Sequence, residues 1–187
     1  TTFFTRIRAL VIGKMYAPAS LAYYDKGHSF PSLIADNVCG TIQSVLFPAL
    51  SEVQDDKQKL KSMLRRVINT NCLFMFPLII GLIVCAKPVV VLLLTEKWLP
   101  VVPFLQLLSL SYLFRPITLP NAQLVMAMGK SNITLILEVV RKVLDITVLI
   151  ISCHYGVLAI AGGVVLVNML SVFINLIPTG RLINYGL

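Results

Sequence analysis

Four charged residues stand inside an otherwise apolar stretch: Glu138, Arg141, Lys142 and Asp145 in ILEVVRKVLDI. They are separated by helical steps of three and four, so a helix would carry all four on one side. Two chemistries suit that set. Acids and bases at this spacing neutralise one another and tie helices together, as intramembrane ionisable groups usually do. The same side also offers Arg141 and Lys142 as a cationic lining for an anionic ligand, with Glu138 and Asp145 holding them in place. The two readings are compatible.

A second charge is lodged deeper. The segment Trp98 to Lys130 is apolar but interrupted near its middle by Arg115, followed by Pro116, Pro120 and Asn121. A hydrocarbon core of ~30 Å is crossed by about 20 helical residues at ~1.5 Å rise, which places Arg115 deep. A guanidinium there costs about 3 kcal/mol on insertion scales, so it should face a cavity or a partner. No acid lies within one helical turn, which leaves Asp36 or Glu138 on another helix. Proline removes a backbone hydrogen bond and kinks a helix, so Pro116 and Pro120 are hinge candidates.

These residues need membrane helices to position them, and the composition supplies them. The chain has 187 residues, 57% hydrophobic and 13% charged; soluble domains hold about 25% charged residues. Val67 to Ala86 contains no charge, and Ile146 to Gly180 holds no Asp, Glu, Lys or Arg, with His154 the one group that titrates near neutral pH. Such runs read as spans. The fold class expected is an all-α, polytopic transmembrane bundle, a single domain over 1–187. It would hold about five complete spans plus the end of one more. The first apolar run, Ala9 to Tyr16, is too short to cross alone, and there is no initiator Met. The sequence reads as an internal piece of a longer protein.

Taken in order, a helix from about Ser20 to Ser51 carries Asp36, Asn37, Thr41, Gln43 and Ser44 at near-helical spacing. A polar face of this kind turns toward protein or water, not lipid. The loop 52–66 is the most charged part of the chain, and Asp55 or Asp56 can cap a helix beginning near Lys57. Val67 to Ala86 should then cross, closed by Lys87-Pro88. Trp98 should anchor at an interface. Gly129 reads as a helix C-cap. A span from Ser131 to Cys153 turns at His154-Tyr155-Gly156 into a last one, from Val157 to Ile177, closed by Pro178, Gly180 and Arg181.

The net charge is +8. Its basic residues lie at the ends of apolar runs or inside them, which suits membrane topology rather than nucleic acid. Counting places loop 52–66, Lys130 and Arg181 on the cytoplasmic side. The cysteines Cys39, Cys72, Cys85 and Cys153 form no paired motif and read as small buried hydrophobes. No nucleophile elbow, HExxH or phosphate loop occurs, and His28 and His154 have no acid at metal-ligand spacing. An enzyme, a metal site and a cofactor are therefore not expected.

A string of landmarks remains: Ile12-Gly13-Lys14; Leu21 with Tyr23-Tyr24; Phe47-Pro48-Ala49-Leu50-Ser51; Gln54-Asp55-Asp56; Lys97-Trp98 with Pro100; and Gly129-Lys130. In order and spacing, over about residues 10–135, it resembles the polysaccharide transporter family. These are Wzx-type O-antigen, colanic acid and teichuronic acid exporters, lipid-linked oligosaccharide flippases of the MATE-like (MOP) superfamily. Ala22 and Asp25 depart from the Gly and Asn expected there. The resemblance implies two six-helix lobes around a central cavity, with this chain forming most of the C-terminal lobe in a bacterial inner membrane. It implies alternating-access flipping of undecaprenyl-pyrophosphate-linked oligosaccharide.

The partners it implies are that substrate and membrane lipids, with a coupling cation, a polysaccharide polymerase and a chain-length regulator as candidates. Arg115, Arg141 and Lys142, then Lys26, are the candidate pyrophosphate contacts, chosen from the residues themselves because guanidinium suits phosphate oxygens. A MATE-like drug or cation antiporter, a lipid II flippase and a non-transporting scaffold of a polysaccharide assembly complex are the alternatives. The first would favour acids in the cavity, whereas the central charges here are mainly basic.

Overall fold

The computed structural model describes residues 2–53 and 56–183, apart from the side chains of 2–6, 9, 41–45, 47, 57, 131 and 177–183. The elements are α1 (Thr2–Met15), α2 (Pro18–Glu52), α3 (Lys57–Val84) and α4 (Ala86–Leu94). A 3-10 helix (Glu96–Val101) leads into α5 (Val102–Tyr112), α6 (Arg115–Ala127), α7 (Ser131–Ser152) and α8 (Val157–Ile183). Among the described residues, three stretches are long and apolar enough to cross a membrane: Gln58–Val84, Glu96–Ala127 and Val157–Leu176. Helices α2 and α7, at 35 and 22 residues, are also long enough, and α7 carries four charges.

Local rules set the boundaries. Pro18 opens α2, where its missing N–H is no loss. Asp56 caps α3, accepting the N–H groups of Gln58 at 3.1 Å and Lys59 at 3.0 Å. Gly129, at φ 71°, ends α6 in a Schellman motif. Lys130 N–H reaches the Val125 carbonyl at 3.2 Å, and Gly129 N–H reaches that of Met126 at 3.0 Å. Gly156, at φ 113°, turns α7 into α8.

Three boundaries differ from expectation. Helix α3 ends at Val84, and Lys87-Pro88 opens the separate helix α4. Proline is tolerated in a first turn, so it starts a helix here instead of stopping one. Helix α8 runs through Pro178 and Gly180 to Ile183, because one proline removes one hydrogen bond and does not forbid the next turn. The stretch from Trp98 to Lys130 is not one helix but two, broken at Leu113–Phe114.

Four apolar clusters hold the bundle. Ile12, Tyr24, Leu108, Leu149 and Ile160 join α1, α2, α5, α7 and α8. Leu46, Leu50, Leu60, Leu64, Leu124 and Ala127 join α2, α3 and α6. Ala35 and Cys39 meet Met75 and Ile79 between α2 and α3, and Val90, Val101 and Leu105 gather α4 and α5. The first two clusters lie toward opposite ends. One contains the α7–α8 turn, where Tyr16 donates to the Cys153 carbonyl at 2.5 Å; the other flanks the α2–α3 loop.

Lipid tails are as apolar as leucine, so membrane helices gain most where small residues let backbones approach. A Cβ on Gly27 would lie 2.8 Å from the Phe104 Cβ, and one on Gly163 would lie 2.7 Å from Val148. These contacts set the α2–α5 and α7–α8 crossings. Cys39 and Cys153 are buried as expected, but Cys72 is only half-buried and Cys85 is exposed at the α3–α4 break.

Candidate functional site

The break between α5 and α6 delivers Arg115 to the inside of the bundle. Phe114 ends the irregular step, and its carbonyl accepts from Ile117 N–H at 3.3 Å and Thr118 N–H at 3.2 Å. Arg115 and Pro116 are thus the first residues of α6, where proline costs no hydrogen bond. Pro120 lies buried within α6 without breaking it. The irregular step adjoins Pro116 and is centred on Leu113–Phe114.

Arg115 meets Asp36 of α2, with Nη2 and Oδ1 2.7 Å apart. This is one of the two partners expected. The guanidinium carbon also lies 5.5 Å from the Tyr112 ring centroid, in cation–π range. Tyr112 in turn places its Oη 3.0 Å from Nε2 of His28. The spacing of His28, Ser32 and Asp36, four residues apart, puts all three on one face of α2.

A second ion pair faces the first. Arg8 of α1 is bonded to Asp145 of α7, and both side chains are largely buried, at 15% and 12% exposure. Arg141 donates from Nη2 to Asn168 Oδ1 of α8 at 2.9 Å. Between these walls lies a cavity of about 510 Å³. Its charged lining comprises Arg8, Arg115, Arg141 and Lys142 against Asp36 and Asp145, an excess of two positive charges, with His28 between them. Among the described residues, no cluster of His, Cys, Asp or Glu is placed to hold a metal ion.

The predicted site residues therefore divide. Arg115, Arg141, Lys142, Asp36 and Asp145 come together. Lys26 does not: it is exposed and outside the lining. It sits two residues before His28 and so points roughly 200° away around α2. Asn37 is exposed and outside the lining too, its amide donating to the Leu33 carbonyl at 2.7 Å. Glu138 is exposed beyond the cavity's end, 4.0 Å from Arg141, so it braces that arginine and does not line the space. The side chain of Gln43 lies outside the described residues.

Arg8, His28, Tyr112 and Asn168 were missed as site residues. Arg8 carried a signal, a charge inside an apolar helix. The others are ordinary polar residues whose convergence depends on tertiary packing.

Helices that span a membrane around a polar, charge-lined cavity define a multi-pass membrane protein. The solved structure titled "Lipid II flippase MurJ, inward closed conformation" shares this fold, with a TM-score of 0.78 at 19% identity, over 94% of this chain and 40% of that one. The family described as "Polysaccharide biosynthesis protein" matches residues 1–103, more than half of the sequence, and the chain belongs to that family.

An "Uncharacterized membrane protein in cps region" of Klebsiella pneumoniae is 34% identical over 148 residues, 79% of this chain and 30% of its own. The "Lipopolysaccharide biosynthesis protein WzxC" of Escherichia coli (strain K12) is 30% identical over 173 residues, 92% of this chain and 35% of its own. The "Teichuronic acid biosynthesis protein TuaB" of Bacillus subtilis (strain 168) is 22% identical over 127 residues, 68% of this chain and 26% of its own. The chain thus spans about a third of the length of these curated relatives. It is a multi-pass protein of the bacterial inner membrane.

Proposed function

We propose that this chain is most of the C-terminal lobe of a flippase. The full protein moves an undecaprenyl-pyrophosphate-linked oligosaccharide to the outer leaflet by alternating access, for surface polysaccharide export. The observation that carries the reading is the cavity of about 510 Å³ with its excess of two cationic charges. A pyrophosphate diester is doubly anionic, and bidentate guanidinium pairing suits its oxygens. Asp36 pairs with Arg115 and Asp145 with Arg8. These acids offset part of the cost of gathering cations in a low-dielectric surround.

Lipid II presents the same pyrophosphate, and the fold shared with MurJ favours it as the second reading. A cation antiporter is disfavoured by the basic excess. A coupling cation would meet the cavity at Asp36 or Asp145. Partnership with a polysaccharide polymerase and a chain-length regulator follows only from the flippase reading. The role is transport and not catalysis.

The test is Arg115→Ala in the full-length protein. Export of surface polysaccharide is lost while membrane insertion stays normal; normal export from a properly inserted variant would sink the reading. Lysis with intact polysaccharide export would favour lipid II instead. In this topology the loop 52–66 is cytoplasmic, so a cysteine replacing Lys59 reacts only from that side, and labelling from outside overturns the orientation.

A further inference from the structure

The first turns of α3 carry a groove that takes no part in the central cavity. It has a volume of about 540 Å³, and its lining includes Lys61, Ser62, Arg65, Arg66, Asn69 and Thr70. These positions recur at steps of three and four, so they form one continuous stripe along the helix. From Lys61 to Thr70 the stripe is about 14 Å long at ~1.5 Å per residue. Among the described residues it holds three cations and no acid.

Continuing the stripe by three or four residues reaches Leu73, Phe74 and then Leu78. All are exposed, at 70%, 55% and 47%. Past the cations the same helix carries no charged residue through Val84. The face therefore reads, in order, cationic, hydroxyl-and-amide, then bare hydrocarbon. That sequence of chemistries matches a phosphate headgroup, its ester region and its acyl chains. A soluble anion would need no apolar continuation, and a zwitterionic lipid would bring a further cation to a stripe that already carries three.

We propose that this face of α3 binds an anionic phospholipid of the adjacent leaflet. Lys61, Arg65 and Arg66 take the phosphate, while Ser62, Asn69 and Thr70 sit at ester depth. The acyl chains lie along Leu73, Phe74 and Leu78. No residue of α3 lines the central cavity, so the site is independent of the transport reading and stands or falls apart from it.

The purified full-length protein, in nanodiscs of phosphatidylcholine with or without phosphatidylglycerol, tests this by melting temperature and by native mass spectrometry of retained lipid. Phosphatidylglycerol raises the melting temperature of the wild type and is retained. Each cation removed in a Lys61→Gln, Arg65→Gln, Arg66→Gln series costs roughly fivefold in lipid affinity, as expected for a basic residue near an anionic surface. A charge-matched control, Lys14→Gln with Lys87→Gln and Lys97→Gln, keeps the effect. So does Arg65→Lys with Arg66→Lys.

Four results would overturn the proposal. They are a wild type indifferent to phosphatidylglycerol, a triple variant that keeps the effect, and a control that loses it equally. The fourth is stabilisation by inorganic phosphate alone, which would assign the groove to a soluble anion.

Discussion

Arg115 Nη2 and Asp36 Oδ1 lie 2.7 Å apart and join α6 to α2 across the wall of the cavity. Their side chains are only partly covered, at 33% and 63% exposure. A pair this open is weak as a structural brace. It is better suited to separating when a stronger anion arrives. The charge swap Asp36→Arg with Arg115→Asp should therefore leave melting temperature near wild type while export is abolished. Recovery of export by the swap would reduce the pair to a brace.

The pair of Arg8 and Asp145 should behave differently, because both members are nearly enclosed. Asp145→Ala leaves a largely buried guanidinium without its partner, a change that costs on the order of 3–5 kcal/mol. Melting in detergent would reveal it, and Arg8→Leu combined with Asp145→Leu should recover much of the loss. A single substitution without effect on melting would show that the pair does not hold α1 to α7.

Two glycines separate packing from chain entropy. Gly27→Ala drives a methyl to 2.8 Å from Phe104 and 3.0 Å from the Leu105 backbone. The backbone cannot yield, so a loss of about 1–3 kcal/mol is expected. Gly81 in α3 has nothing within 4 Å, and Gly81→Ala should stabilise by about 0.5–1 kcal/mol through helix entropy. Melting shifts of the same sign for both would refute the close α2–α5 crossing.

The Asp56 cap gives a pH dependence outside the membrane. The backbone N–H of Lys59, then the Lys59 ammonium and the Gln58 N–H, hold its carboxyl below the usual carboxylate range. A depressed folded value means the cap's contribution is complete above the unfolded value and fades as pH falls through the folded one. Amide-exchange protection in the first turn of α3, measured against the intrinsic rate at each pH, should therefore fall in acid. In Asp56→Asn, which keeps an acceptor oxygen but cannot titrate, that acid loss of protection should vanish.

Much of the bundle was legible because charge gaps and caps act locally. Asp56, Gly129 and Gly156 announce their turns through backbone chemistry alone. The cavity was legible only in part. Helical phase put Arg141, Lys142 and Asp145 together, and the cost of burying Arg115 demanded an acid such as Asp36. Phase also paired Glu138 with Arg141, 4.0 Å apart, but could not say that Glu138, seven residues and about 10 Å before Asp145 along the helix, stays outside the cavity lining. Arg8 and Asp145 are 137 positions apart, and nothing short of the packed fold announces that meeting. Lys26 was misplaced because its charge was weighed without the direction fixed by Gly27 against Phe104.

The interruption at Leu113–Phe114 has a mechanical side. Above it, α5 is held by Leu108 and Leu105 in two clusters; below it, α6 is held by Leu124 and Ala127 in another. An unbroken helix would make these anchorages one stiff beam, and any tilt would have to shear packed side chains. With a compliant joint at mid-length, bending stiffness falls where Arg115 begins the lower piece. Helix α2 runs unbroken past that joint and is anchored in both end clusters, through Tyr24 in one and Leu46 and Leu50 in the other, so the compliance belongs to the α5–α6 strut and not to the bundle as a whole.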